Sequence, residues 1–119
     1  MNLNQIKKIY FIGIGGIGMS AVARYFNSRG VEVHGYDRTE TSLTKKLVEE
    51  GMKIHYDESL NKIPNGVDVV VYTPAVPETH AELVYFRQQG YEVIKRAEAL
   101  GIISRGMKTI AIAGTHGKT

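Results

Sequence analysis

Ile9-Tyr10-Phe11-Ile12-Gly13-Ile14-Gly15-Gly16-Ile17-Gly18-Met19-Ser20 begins with four apolar residues in a row and then turns into glycine. A short continuous apolar run stopped by glycine reads as a strand buried on both faces. Beyond it, Ile17, Val22, Tyr25 and Phe26 fall on one face of a helix running to Ser28, and Gly30 stands where that helix should end. The glycines between match G-x-G-x-x-G, and they sit in the strand–loop–helix context that gives the pattern meaning. Gly13 allows the tight turn, Gly15 lets the backbone approach a diphosphate, and Gly18 lets helix and strand pack closely. Gly16 and Ile17 complete the loop, so that the free N–H groups and positive end of the helix face the anion.

Outward from this loop the alternation continues. Strands are expected at Val31–Tyr36, Met52–His55, Val67–Tyr72, Tyr91–Ile94 and Met107–Ala113. Helices are expected from Thr41 as cap to about Glu50, from Pro77 to about Gly90, and over Ala97–Ile103. Strands and helices taking turns with short links imply a parallel sheet with right-handed crossovers. The expected fold is therefore α/β, a Rossmann-like doubly wound parallel sheet in three αβα layers.

Composition bounds the function. The 119 residues suit one hydrophobic core, with 43% hydrophobic and 23% charged residues. There is no cysteine, which removes disulfides and thiolate metal sites and fits a reducing compartment. The net charge of +3 comes from scattered Lys and Arg, which argues against nucleic acid as the partner. No apolar run reaches the roughly 20 residues of a membrane span, and Met1–Lys8 lacks the apolar stretch of a signal peptide. A soluble cytoplasmic protein is expected.

Asp37 ends the second strand about twenty residues after the loop, where a ribose-binding acid would stand; a capping aspartate would stand there too. NAD, FAD and a UDP-sugar all suit these features, so an NAD(P)-binding oxidoreductase or regulatory domain remains the alternative. The chain ends Gly114-Thr115-His116-Gly117-Lys118-Thr119. Gly-Lys-Thr after a strand is the end of a phosphate-binding loop, in which Lys118 reaches the β/γ-phosphates and the Thr119 hydroxyl binds Mg²⁺. The standard pattern places glycine where Ile112 stands, and no helix follows Thr119 in this chain. Little ATP affinity is expected of the chain alone. A dehydrogenase has no use for this second loop, and an ordinary P-loop enzyme has none for the first.

Together the two loops resemble those of the Mur ligase family, whose own ATP loop lacks the early glycine. Gly35-Tyr36-Asp37 is similar to the family's Gly-Ser-Asp, with tyrosine in place of serine. Tyr72-Thr73-Pro74-Ala75-Val76 stands where the family has a Ser-Ser-Ala-Ile-like loop, and Arg96-Ala97-Glu98 resembles its Arg-Ala-Glu. The resemblance implies a UDP-sugar-binding domain over residues 1–106. Residues 107–119 would be the first strand and truncated P-loop of an ATP-binding central domain. It implies a parent enzyme that joins L-alanine to the lactyl carboxylate of UDP-N-acetylmuramate through an acyl phosphate made with ATP and Mg²⁺. Lys118 and Thr119 would serve phosphoryl transfer, Thr119 as the Mg²⁺ ligand, within an ATP loop of Gly114, Thr115, His116, Gly117, Lys118 and Thr119. Gly13, Gly15, Gly16, Ile17 and Gly18 would hold the uridine diphosphate. Asp37 and His55 are candidates for ribose or uracil, and Thr73 and Ala75 for the diphosphate–sugar side. His55 reads equally as a solvent-facing loop residue. Arg96 either neutralises substrate charge or pairs with a neighbouring acid. The fragment is expected to bind the UDP-sugar weakly and to catalyse nothing alone. The strand at Lys108–Ala113, without native neighbours, is expected to pair at a sheet edge, with a homodimer as one result.

Overall fold

The computed structural model describes residues 2–114, with side chains over 2–106. Along the chain run β1 (Lys8–Ile12), α1 (Ile17–Ser28), β2 (Glu32–Tyr36), α2 (Ser42–Glu49), β3 (Lys53–His55), β4 (Val69–Tyr72), α3 (Ala81–Gln88), β5 (Val93–Lys95) and α4 (Arg96–Gly114), with 3-10 turns at Leu3–Gln5 and Leu60–Lys62. The sheet order is β3-β2-β1-β4-β5. Each neighbouring pair is parallel, and β1 lies between β2 and β4. The chain thus winds outward in one direction from β1 and then in the other. That reversal opens a crevice at the carboxyl ends of β1 and β4, the usual ligand position in such sheets.

Strand alternation divides the core in two. Ile9, Phe11, Val33, Val69 and Val71 pack on one face against Met19, Val22, Ala23 and Phe26 of α1 and Ala99, Ile102 and Ile103 of α4. Tyr10, Ile12, Val70 and Tyr72 point to the other face, which Leu83 and Phe86 of α3 cover. Three layers result, as the sequence implies. The β1 residues Tyr10, Phe11 and Ile12 are all fully buried, which explains a run with no polar alternation.

Local chemistry sets the boundaries. Thr41 caps α2 as expected: its Oγ1 accepts from Thr44 N–H at 3.1 Å, and Thr44 Oγ1 accepts from Thr41 N–H at 2.8 Å. Asp68 Oδ2 accepts from the N–H groups of both Lys7 and Lys8, at 2.8 and 3.0 Å, tying the start of β1 to the entry of β4.

Two expectations are corrected. The helix expected from Pro77 starts only at Ala81, with His80 as its N-cap. The intervening residues form turns, in which Val76 and His80 donate to the carbonyls of Thr73 and Pro77. The expected sixth strand at Met107–Ala113 is not formed; α4 continues through those residues to Gly114. A short apolar run reads as strand or buried helix alike. A helix satisfies its backbone from within, whereas a strand needs a neighbour to do so. With the strand goes the edge pairing expected of it. Thr115, His116, Gly117, Lys118 and Thr119 lie outside the described residues.

Candidate functional site

The glycine loop is moored to the end of β2. The N–H groups of Gly13 and Ile14 both donate to the Tyr36 carbonyl, at 2.8 and 3.0 Å. Gly13 turns the chain there with φ +91°, a conformation side chains disfavour. Ile14 then lies against Gly35, where an added Cβ would come 2.7 Å from Ile14 Cδ1 and 3.0 Å from the Phe11 carbonyl oxygen. Gly35 is therefore bare so that the loop can settle on the strand.

Asp37 carries the next link. Its Oδ1 accepts from Gly15 N–H at 2.9 Å and its Oδ2 from Thr39 N–H at 3.1 Å. The backbone of Asp37 donates to the His55 carbonyl at 3.1 Å. Gly16 is the N-cap of α1 with no side-chain cap, which leaves the N–H groups of the first turn without a capping acceptor beside the crevice that Gly16 lines. Ile17 is 86% exposed at that same end.

A cleft of about 520 Å³ opens here. On one wall stand Tyr36, Asp37, Arg38 and Thr39; on the other stand Thr73, Ala75, Val76, Pro77 and His80; Gly13 and Gly16 lie between, and Glu58 reaches in from beyond β3. Thr73 Oγ1 accepts from Ala75 N–H at 3.3 Å, shaping the second wall. Of the residues singled out in the sequence, Gly13, Gly16, Asp37, Thr73 and Ala75 line the cleft, Gly15 belongs to the loop beside it, and Ile17 and Gly18 open α1.

His55 and Arg96 stand elsewhere. His55 is neither solvent-facing nor in the cleft wall: its Nε2 lies 2.7 Å from Glu82 Oε2 and 3.1 Å from the Tyr10 hydroxyl. Tyr10 donates its hydroxyl to Glu82 Oε1 at 2.6 Å, and Glu82 is wholly buried. Burial first, then the charge of Glu82, pushes the Tyr10 hydroxyl far above its ordinary pKa, so it remains a donor. Arg96 lies over Gly18, its Nη1 2.9 Å from where a Cβ would be. It borders a smaller apolar groove with Val22, Tyr25 and Leu100, away from the cleft.

Sequence reasoning passed over Tyr36, Arg38, Glu58 and His80 as cleft residues. Arg38 adjoins Asp37 and could have been found by extending the second-strand motif. Glu58 and His80 follow no motif; Glu58 comes to the site on the link after β3, and His80 as the late N-cap of α3. His80 Nδ1 accepts from Glu82 N–H at 3.2 Å, and the Tyr36 ring meets the imidazole edge-on at 4.7 Å between centroids. Among the described residues no helix is long and apolar enough to cross a membrane.

A family model described as Mur ligase family, catalytic domain, matches residues 8–108. A UDP-N-acetylmuramate–L-alanine ligase of Phocaeicola vulgatus is 53% identical, over 100% of this chain and 27% of its own length. The enzyme of the same name from Flavobacterium johnsoniae is 54% identical with the same coverages. The chain thus spans about a quarter of the curated relatives it matches, 27% in both. Among solved structures, the UDP-N-acetylmuramate–alanine ligase of Thermotoga maritima superposes with a TM-score of 0.77 at 36% identity, over 82% of this chain and 23% of that one. A murein peptide ligase of Psychrobacter arcticus shares the fold, with a TM-score of 0.72 at 21% identity over 79% of this chain and 20% of that one.

Proposed function

The chain belongs to the Mur ligase family, and from that premise we propose that it is the part of a UDP-N-acetylmuramate–L-alanine ligase that binds the UDP-sugar. The observation that carries this reading is the bare N-terminus of α1 at a cleft on the sheet's reversal point. Three groups of contacts divide the work. The first-turn N–H groups after Gly16 supply backbone donors and partial positive charge to a diphosphate. Arg38 adds an exposed cation at the wall. Thr73 and Ala75, which line the cleft on the β4–α3 link, take the diphosphate–sugar side in this reading.

Asp37 has a different share from the simple ribose acid. Both of its oxygens already hold backbone N–H groups. In this reading it keeps the loop in shape, and a carboxylate oxygen can still accept from a ribose hydroxyl through a second lone pair. His55 serves from behind, by holding Glu82 and hence the segment that begins α3.

The complete ligase would activate the lactyl carboxylate with ATP and receive L-alanine at the acyl phosphate, in the cytoplasm where these substrates are made. Lys118, Thr119 and the rest of the ATP loop enter this reading from the motif alone. ATP with Mg²⁺ supplies the phosphoryl group in that chemistry; the chain's own described residues bind and orient the other substrate.

Calorimetric titration of this chain with UDP-N-acetylmuramate, NAD⁺ and ATP in parallel tests the reading. Heat from the UDP-sugar, with none from NAD⁺, is the expected result. Heat from NAD⁺ alone would overturn it. The isolated chain should form no amide with all substrates present.

A further inference from the structure

Asn65 is followed by Gly66, the one Asn-Gly pair in the sequence. Both residues are exposed on the link that leads into β4. Glycine carries no side chain to shield its nitrogen, and the Gly66 N–H donates to no acceptor among the described residues. The carbonyl of that same peptide group is occupied: Lys8 Nζ donates to the Asn65 main-chain oxygen at 2.6 Å. An ammonium on this oxygen draws charge out of the peptide group and favours its deprotonated nitrogen. Asn27 makes the contrast. It lies in α1, where the helix takes up the next N–H, and its amide donates to the Glu50 carbonyl at 3.0 Å.

We propose that Asn65 is a site of intramolecular deamidation in the folded protein, with Lys8 as the residue that speeds the reaction and directs its product. Gly66 N gives its proton to solvent hydroxide and attacks Asn65 Cγ. The N–Cγ bond forms, the Cγ–Nδ2 bond breaks, and Nδ2 leaves as ammonia with a proton from water. The five-membered imide then adds water at one of its two carbonyls. Addition at Cγ restores the ordinary backbone, with aspartate at this position. Addition at the main-chain carbon cuts that carbon from Gly66 N and leaves the chain running through Cγ, as isoaspartate. In the second case the oxyanion develops on the oxygen that Lys8 already holds, so isoaspartate is the favoured product. Its freed carboxylate stays beside Lys8, whose Nζ also lies 3.6 Å from Glu32 Oε2. The lengthened backbone and the new charge fall just before Asp68, whose carboxylate holds the N–H groups of Lys7 and Lys8.

The test is incubation of the full chain in mildly alkaline buffer, followed by peptide mapping and by labelling with an isoaspartyl methyltransferase. Wild type, Lys8→Met and Lys8→Gln are compared, each folded and in urea, with circular dichroism to verify the folded samples. Folded wild type should lose the Asn65 amide while Asn27 stays intact. It should also give a larger isoaspartate share than the chain in urea, where Lys8 and Asn65 are apart. The folded variants should react roughly threefold more slowly, the weight of one exposed charge contact, and their isoaspartate share should fall to the urea value. An Asn65 amide that survives in the folded chain but is lost in urea overturns the site. Rates and shares unchanged in the variants overturn the part given to Lys8. If neither variant folds, the wild type decides alone: equal isoaspartate shares with and without urea overturn the inference.

Discussion

Asp37 Oδ1 and Gly15 N–H, 22 residues apart, meet at 2.9 Å and lock the tip of the glycine loop to the end of β2. The contact leaves no room at Gly15: an added Cβ would come 2.8 Å from Asp37 Oδ1 and 2.9 Å from Thr44 Cγ2. Asp37 is short and held by two backbone donors, and Thr44 is fixed in the α2 capping box. Neither can move away cheaply. Gly15→Ala should destabilise the fold by about 1–3 kcal/mol, the usual cost of overpacking, and weaken UDP-sugar binding. Denaturant midpoints and titration check this; a variant with parental stability would show that the pair gives way.

Gly18→Ala makes the contrast. The group in the way is the Arg96 guanidinium, 2.9 Å from the added Cβ but at the far end of an exposed, flexible side chain. Alanine favours a helix over glycine by about 1 kcal/mol. The variant should therefore melt at or slightly above the parental temperature. A clear fall would mean that Arg96 is held in place.

The Tyr10–Glu82–His55 cluster should behave as a unit. Tyr10→Phe leaves the wholly buried Glu82 one donor short and should cost about 1.5–3 kcal/mol. His55→Ala removes the other contact to the same carboxylate. In the double variant the losses should fall short of their sum by about 0.5–3 kcal/mol. Strict additivity in urea unfolding would show that the three groups act independently.

Alkaline stability follows from the same cluster. Tyr10 is held above its ordinary value of 10.0 by burial and then Glu82, and Tyr36 is raised by burial and then Glu58. The unfolded chain releases these protons near pH 10 while the folded chain keeps them. Their contribution is thus complete below that pH and lost as pH climbs toward the folded values. Urea midpoints should fall from about pH 9 to about pH 11, and Tyr10→Phe should flatten that fall. An equal slope in the variant would contradict the assignment.

The fold was open to reading from β1 and the glycine loop because local signals and tertiary fate agree there. Ile9–Ile12 is apolar throughout and is buried on both faces, and Thr41 carries cap chemistry that needs no partner. Reading failed where long-range contacts decide. Pro77 and Glu78 have the composition of a first turn, yet α3 waits for His80, whose ring fits between Tyr36 and Glu58. Met107–Ala113 has a strand's composition but continues α4. At the site, Gly13, Gly16 and Asp37 were legible, since their motif has a fixed spacing. Glu58 and His80, which come from separate links and meet only across the sheet, were not.

The mooring of Lys7 and Lys8 to Asp68 also bears on when the fold can form. Those bonds join residues 61 and 60 positions apart, and β1 needs β4 on that side throughout. Contacts closed over such separations form slowly, because the loop must be closed before the pairing rewards it. A chain emerging from the ribosome presents β1 first. It then keeps Tyr10, Phe11 and Ile12 wet along one edge until Val69–Tyr72 has followed. Pulse-labelled hydrogen exchange should accordingly find the β1 amides gaining protection together with β4, late in folding, rather than with the β1–α1–β2 unit that precedes it.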